Sequence, residues 1–246
     1  MNLRIYNLIN RKVKDAFSLP RYETAILTLS PLTIFLELPW TPVRLEKFKE
    51  SIEAELQLDN INYEGNIQEL VSRLNDRYMH RFFGGIWKPR TESYQYSGWG
   101  IVEEINKTAP TAVLDFGCGY NPFKGRINNL VGIDPYNNCA DYMIDILEFT
   151  EKPESFDHII AFGSLNFNSQ DEIEIRFKKL TELLMPGGKM YFRGNPGILW
   201  PASPYVDIFP WSFEIAQQLA EQHDLILETF KKDINRLYFV YKKKSI

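Results

Sequence analysis

Two glycines and two carboxylates are the residues of this chain best suited, by type and spacing, to hold a small charged ligand. The run Val113-Leu114-Asp115-Phe116-Gly117-Cys118-Gly119 reads as a buried strand feeding a glycine-rich turn. Gly117 and Gly119 have no Cβ, so the backbone can reach positive φ there and a ligand can approach it closely. In an open parallel sheet such a turn lies at the carboxyl end of its strand, where ligands bind. A second short strand, Leu130-Val131-Gly132-Ile133, ends in Asp134, nineteen residues after Asp115. A carboxylate in that place can accept hydrogen bonds from both hydroxyls of a ribose. The alternatives are a plain tight turn at the glycines and a strand-capping turn at Asp134-Pro135. Downstream, Asp145 and Ile146 could set one acceptor and one apolar side chain at an adenine edge, Asp145 otherwise being a solvated loop carboxylate. Pro122 stands where the dinucleotide fingerprint has its third glycine, which counts against a pyrophosphate ligand.

These residues need a sheet to carry them, and the chain supplies its pattern after Pro110. Short apolar runs at Ala112–Phe116, Leu130–Ile133, His158–Phe162 and Lys189–Phe192 read as buried strands. A helix begun near Ser169 puts Ile173, Phe177, Leu180 and Leu184 on one face, with a stop at Pro186-Gly187-Gly188. Strands alternating with helices imply an α/β fold with a mostly parallel sheet covered on both faces. Asp224–Phe230 and Arg236–Lys242, separated by the polar stretch around Asp233, permit a final antiparallel hairpin. Upstream, Thr41-Pro42 opens a helix bearing Leu45, Phe48, Ile52 and Leu56. Asn66 and Glu69 cap a second one, with Ile67, Leu70, Val71, Leu74 and Tyr78 as its stripe. The expected organisation is a mainly helical region over residues 1–99 and a ligand-binding domain over 100–246, entered through a helix at Ile101–Asn106.

Composition narrows the class. With 246 residues, 44% of them hydrophobic and 24% charged, the chain is globular rather than disordered. A net charge of −4 gives no whole-chain attraction to phosphate polymers, so any nucleic-acid binding must rest on a local patch. Cys118 and Cys139 form no C-x-x-C pair, and neither a disulfide framework nor a metal site is expected. The opening residues lack a continuous apolar signal core, and Ala25–Trp40 is short for a bilayer and holds Pro31 and Glu37. A cytoplasmic protein without membrane contact is the expectation.

Five motifs in order carry a resemblance. Val113–Gly119, Val131-Gly132-Ile133-Asp134, Asp145-Ile146, Phe156–Ile160 with Ala161-Phe162-Gly163-Ser164, and Leu183–Met190 with its Pro-Gly-Gly resemble class I S-adenosylmethionine-dependent methyltransferases. The resemblance implies a Rossmann-like, seven-stranded sheet in the order 3-2-1-4-5-7-6 with an antiparallel last strand. It implies S-adenosylmethionine as cofactor, with its methionine end at Asp115, Gly117, Cys118 and Gly119, its ribose at Asp134 and its adenine at Asp145 and Ile146. Phe162, Gly163 and the residues to Leu165 would floor the sulfonium. It also marks Ser164, Asn166, Arg193 and Asn195 as candidates for acceptor contact, the Arg193–Gly197 stretch being otherwise a chain-redirecting turn. The Asn/Asp-Pro-Pro-Tyr motif of adenine-N6 enzymes is absent, as is the Pro-Cys of cytosine-C5 enzymes, which disfavours those DNA substrates and leaves a small molecule or RNA.

Between Arg77 and Trp99 basic and aromatic residues interleave, among them Tyr94, Tyr96 and Trp99. They can stack on bases or lid a small acceptor, or instead weld the helical region to the sheet. No general base is evident: His158 falls in a buried strand, His80 and His223 at helix ends, and Lys242-Lys243-Lys244 reads as a solvated tail. The competing functions are a non-catalytic binding module with the same fold and a nicotinamide-dependent oxidoreductase.

Overall fold

The computed structural model describes residues 83–84, 91–166, 170–196 and 209–245. The helices expected within residues 41–82 lie outside the described residues. Apart from Phe83 and Gly84, the described residues belong to one compact unit, Lys88–Ala202 with Asp207–Ile246.

A short helix α1 (Gly100–Asn106) leads into strand β1 (Val113–Phe116), followed by β2 (Leu130–Ile133) and β3 (Phe156–Phe162). Helix α2 (Gln170–Leu183) precedes β4 (Leu184–Gly194), helix α3 (Phe213–Gln222) precedes β5 (Leu225–Asp233), and β6 (Arg236–Lys243) closes the chain. The sheet order is β2-β1-β3-β4-β6-β5, with β2, β1, β3 and β4 parallel and β6 antiparallel to both β4 and β5.

Alternation along the strands builds two cores. Leu114, Phe116, Ile159, Ala161, Met190 and Phe192 face Ile173, Phe177 and Leu180 of α2 and Ala216 and Leu219 of α3. Val113, Ile160, Tyr191 and Tyr238 face Ile101 and Ile105 of α1. The i, i+4, i+7 spacing on α2 makes one buried stripe, and Asp171 and Glu172 in its first turn complement the helix dipole. Ser212 caps α3 by accepting from the Ile215 N–H at 3.2 Å.

Three expectations need correction. Among the described residues six strands form rather than seven, and the third strand of the expected order is reduced to a single parallel bridge between Ile133 and Tyr142. At the outer edge of β2, side-chain bonds stand beside a short run of backbone pairing between Gly132 and Asp134 on one side and Asp141 and Tyr142 on the other. There the Asp141 carboxylate accepts from Gly132 N–H at 2.8 Å and Lys124 Nζ donates to Leu130 C=O at 2.7 Å. Next, Pro186-Gly187-Gly188 does not end α2. The helix stops at Leu183, and the three residues lie in β4, where four residues of β4 face one of β3 between the pairs Phe156–Leu184 and His158–Lys189. The extra length is absorbed in a bulge at Gly187, φ 77°. Last, Lys243 is not a solvated tail residue: its Nζ donates to Thr181 C=O and Leu184 C=O, closing the carboxyl end of α2. No described helix is long and apolar enough to cross a membrane.

Candidate functional site

The carboxyl ends of β1, β2 and β3 converge on the glycine turn. Gly117 (φ 67°) and Gly119 (φ 56°) both take the left-handed conformation. The turn then folds onto β2: the Gly117 and Cys118 N–H groups both donate to Ile133 C=O, at 2.8 and 3.1 Å. Gly119 N–H donates to Asp134 Oδ2 at 2.9 Å, and Tyr136 N–H to Asp134 Oδ1 at 2.8 Å. On the other side, a Cβ at Gly117 would lie 2.4 Å from Ser164 Cβ, so the turn touches the segment that follows β3. Asp115, Gly117, Cys118, Gly119, Asp134, Gly163 (φ 97°) and Ser164 are thus brought to one place.

One carboxyl there is strongly desolvated, and one hydroxyl lacks a protein partner. Asp115 is 3% exposed. Burial pushes that carboxyl up to about 7, the negative charge of Asp134 adds to the effect, and the Arg193 guanidinium opposes it. Ser164 Oγ is buried without a hydrogen-bond partner. A buried polar atom left unpaired costs free energy, and such atoms mark places where a ligand completes the structure. Cys118 is buried, and burial holds its thiol protonated well above the ordinary range, so it is no nucleophile.

The remaining candidates are engaged within the fold. Asp145 accepts from Leu147 N–H at 2.9 Å and pairs with Arg176 at 3.3 Å, while Ile146 is fully buried in the core, leaving only its backbone for a ligand. Asn166 and Asn195 are locked together, the Asn195 N–H donating to Asn166 Oδ1 at 2.8 Å. Arg193 is 7% exposed and donates to Ser97 C=O at 3.1 Å and Phe162 C=O at 3.0 Å. His158 Nε2 lies 2.8 Å from Thr108 Oγ1 on the α1 side of the sheet, and His223 packs on Phe177, with ring centroids 5.3 Å apart. Among the described residues no cluster of three or more His, Cys, Asp or Glu could hold a metal ion.

Tyr94, Tyr96 and Trp99 form a strap over the same end of the sheet. Tyr94 lies beneath the Arg193 guanidinium at 4.2 Å, and Tyr96 stacks on Tyr238 at 5.8 Å, with Lys231 Nζ over the Tyr96 ring at 4.7 Å. Trp99 meets Phe123 edge-on at 5.6 Å, and Phe123 in turn meets Phe162 at 6.0 Å. The strap is fastened from β5: Asp233, 1% exposed, accepts from the N–H groups of Gln95, Tyr96 and Ser97 and from Ser97 Oγ. In sequence Asp233 is one charge in a polar turn, and nothing marks it as a long-range acceptor.

No family model matches the chain, and no curated protein matches its sequence. Solved structures do match its fold. One is a 1,6-didemethyltoxoflavin-N1-methyltransferase of Burkholderia thailandensis with bound 1,6-didemethyltoxoflavin and S-adenosylhomocysteine, 11% identical, covering 75% of this chain and 93% of that one, with a TM-score of 0.55. Another is the N-methyltransferase NodS of Bradyrhizobium japonicum in complex with S-adenosylhomocysteine, 14% identical, covering 58% and 84%, with a TM-score of 0.47. With its parallel β2-β1-β3-β4 core and terminal antiparallel β6, the chain has the class I S-adenosylmethionine-dependent methyltransferase fold.

Proposed function

We propose that the chain is an S-adenosylmethionine-dependent methyltransferase acting on a small molecule or RNA. The observation that carries this reading is the buried, desolvated Asp115 carboxyl, set beside two left-handed glycines and within reach of the Asp134 charge. Such a group suits an ammonium, and the methionine end of the cofactor has one. The Gly117–Gly119 backbone lets that end approach, Asp134 takes the ribose hydroxyls, and Asp145 with the Ile146 backbone borders the adenine. Phe162, Gly163 and Ser164 form the wall beside the reacting atoms.

When bound, the cofactor supplies a methyl group already activated by its sulfonium. The chain's own contribution is to bind, orient and desolvate, and alignment of a nucleophile in line with the departing sulfur supplies much of the rate. His158, held by Thr108 inside the sheet layer, is no candidate base. Acceptor selection falls to the strap residues Tyr94, Tyr96 and Trp99 and to Ser164, the one acceptor candidate with an unsatisfied side-chain atom.

The test is heat stabilisation of the purified chain by S-adenosylhomocysteine against NAD. Ligand at about a hundred times its Kd adds about 2.7 kcal/mol. The expected result is stabilisation by S-adenosylhomocysteine alone, abolished in Asp134→Ala. Stabilisation by NAD alone, or by neither, overturns the reading. Cofactor binding without methyl transfer to any acceptor of a small-molecule and RNA panel would instead favour the non-catalytic module.

A further inference from the structure

The strap holds two cations, each laid on an aromatic ring. Arg126 is exposed, and its guanidinium lies 4.5 Å over the Trp99 ring. Lys231, also exposed, sets its Nζ 4.7 Å over the Tyr96 ring. Neighbouring lysines behave otherwise: Lys107 pairs with Glu103 at 2.7 Å and Lys124 with Asp141 at 2.8 Å. Among the described residues no carboxylate forms an ion pair with Arg126 or Lys231. The acid two places beyond Lys231, Asp233, is buried and turned inward on the strap amides.

The arrangement around Trp99 and Arg126 is fixed before any ligand arrives. Trp99 occupies the position ahead of α1 where Ser, Thr, Asp or Asn would cap the helix, and its side chain makes no cap. An indole 37% exposed stands there instead, a departure from local helix chemistry of the kind that accompanies function. The loop carrying Arg126 is held at two points by one residue of α1. Asn106 Nδ2 donates to Arg126 C=O at 2.8 Å, and Asn106 Oδ1 accepts from Asn128 N–H at 2.9 Å. Trp99 meets Phe123 and Phe123 meets Phe162, so two ring contacts lead from the exposed indole to the strand end that precedes Gly163 and Ser164.

We propose that this face of the strap binds single-stranded RNA, which is the methyl acceptor: Trp99 stacks a base, and Arg126 and Lys231 each take a backbone phosphate. The acceptor role rests on the methyltransferase reading, whereas the binding of RNA does not. Single strands are held where cations track the backbone and aromatic rings offer faces to the bases. A ring attracts a cation without neutralising it, so both charges stay available to phosphate. With the whole chain at −4, that attraction is local to this face. The spacing selects a strand over a single nucleotide. Tyr96 stacks on Tyr238 of β6 while Trp99 meets Phe123 in the loop after β1, with β4 and β3 between them in the sheet. At about 4.8 Å per strand the two cations stand roughly 10 Å or more apart, beyond the reach of one phosphate.

The test is fluorescence anisotropy of labelled oligouridine with the full, cofactor-free chain, repeated across about 50 to 200 mM salt. The wild type should bind, with affinity falling as salt rises. Arg126→Met and Lys231→Met should each weaken binding and lower the log–log salt slope by about 0.7, the share of one phosphate contact on a single strand. Arg126→Lys should keep the wild-type slope. Trp99→Leu should lose about tenfold in affinity with the slope unchanged, as a lost stack does. If Trp99→Leu fails to fold, the cation variants decide the matter. No binding by the wild type at about 50 mM salt, or a slope unchanged in both cation variants, overturns the proposal. So does competition by free uridine monophosphate that equals the oligomer nucleotide for nucleotide, which means a single-nucleotide site. Binding of S-adenosylhomocysteine without RNA sinks this inference alone, and binding of RNA without S-adenosylhomocysteine keeps the surface and sinks the methyltransferase reading.

Discussion

Lys124 Nζ and Asp141 Oδ2 meet at 2.8 Å across the open edge of β2, and they do part of the work of a missing strand there. Lys124 also donates to Leu130 C=O and Asp141 accepts from Gly132 N–H, while Gly132 C=O accepts from the Asp141 and Tyr142 N–H groups, so these outward-facing backbone groups of β2 are paired without a full neighbour strand. An unguarded edge is a template for pairing with another chain, and charged side chains are a common guard.

Removing either partner should therefore do more than break a half-exposed ion pair. The side chains are 48% and 28% exposed, so the ionic contribution itself is about 0.5 kcal/mol. Lys124→Met or Asp141→Ala is expected to cost about 1–2 kcal/mol, because an edge carbonyl or N–H loses its partner. Light scattering during a thermal ramp should show concentration-dependent association in both variants and not in the wild type. The Asp141 carboxyl is held below the usual range by Gly132 N–H, Lys124 and Asn121, which outweigh its partial burial. A carboxyl lowered on folding stabilises the protein above its unfolded value and loses that contribution as pH falls through the folded one. Asp141→Asn should accordingly flatten the stability profile below about pH 4.

Asp233 gives the second prediction. Four donors, three of them backbone N–H groups, converge on one carboxylate that is 1% exposed. Charge-assisted hydrogen bonds of this kind are stronger than neutral ones, and their loss leaves buried donors unpaired. Asp233→Ala is expected to cost about 3 kcal/mol. Hydrogen exchange locates the effect: protection at Gln95, Tyr96 and Ser97 should vanish while the β1 and β3 amides keep theirs. Uniform loss of protection across the sheet would mean that Asp233 supports the hairpin rather than the strap.

How far the sequence revealed this arrangement depends on the range of the interaction. The glycine turn, Asp134 and the β1–β4 strands were legible because each is set by residues adjacent in sequence: apolar runs, glycines and a terminal acid. The reduced third strand was not, since its replacement depends on Lys124 and Asp141 reaching the same edge from separate loops. Asp233 and Ser97 were invisible for the same reason, being 136 positions apart. Pro186-Gly187-Gly188 was misread because a bulge and a helix stop use the same residues. Arg193 and Asn195 drew attention as polar residues at a strand end, where a sequence gives no sign that their partners are internal.

Gly117 and Ser164 lead to the third prediction. Alanine at 117 would bring its Cβ within 2.4 Å of Ser164 Cβ, on a backbone at φ 67°. The strain and the clash are separable. The left-handed backbone alone costs a residue with a Cβ about 1–2 kcal/mol, and the displaced Ser164 segment adds to that. Gly117→Ala should destabilise the chain and weaken S-adenosylhomocysteine binding. Adding Ser164→Gly should restore part of the stability, with a favourable coupling in a double-mutant cycle of thermal midpoints. Additive losses would show that the two residues do not touch.

His158 supplies the fourth. Thr108 Oγ1 donates its one proton to Ile105 C=O at 2.7 Å, so it must accept from His158 Nε2 at 2.8 Å. This fixes the neutral tautomer with hydrogen on Nε2 and leaves Nδ1 buried, unprotonated and without a partner. Burial holds the imidazole below its ordinary value of 6.5, with Lys189 acting in the same direction and Asp157 against it. A folded state that resists protonation binds fewer protons than the unfolded chain, so stability is complete above the unfolded value and declines as pH falls beneath it. Denaturant unfolding of the wild type should show this decline starting near pH 6.5. His158→Phe removes the orphaned nitrogen and should abolish that part of the slope, leaving the share due to His223, whose imidazole burial also lowers. An unchanged slope in His158→Phe, or an Nδ1–H signal in the wild type at neutral pH, would refute the tautomer that the Thr108 hydroxyl imposes.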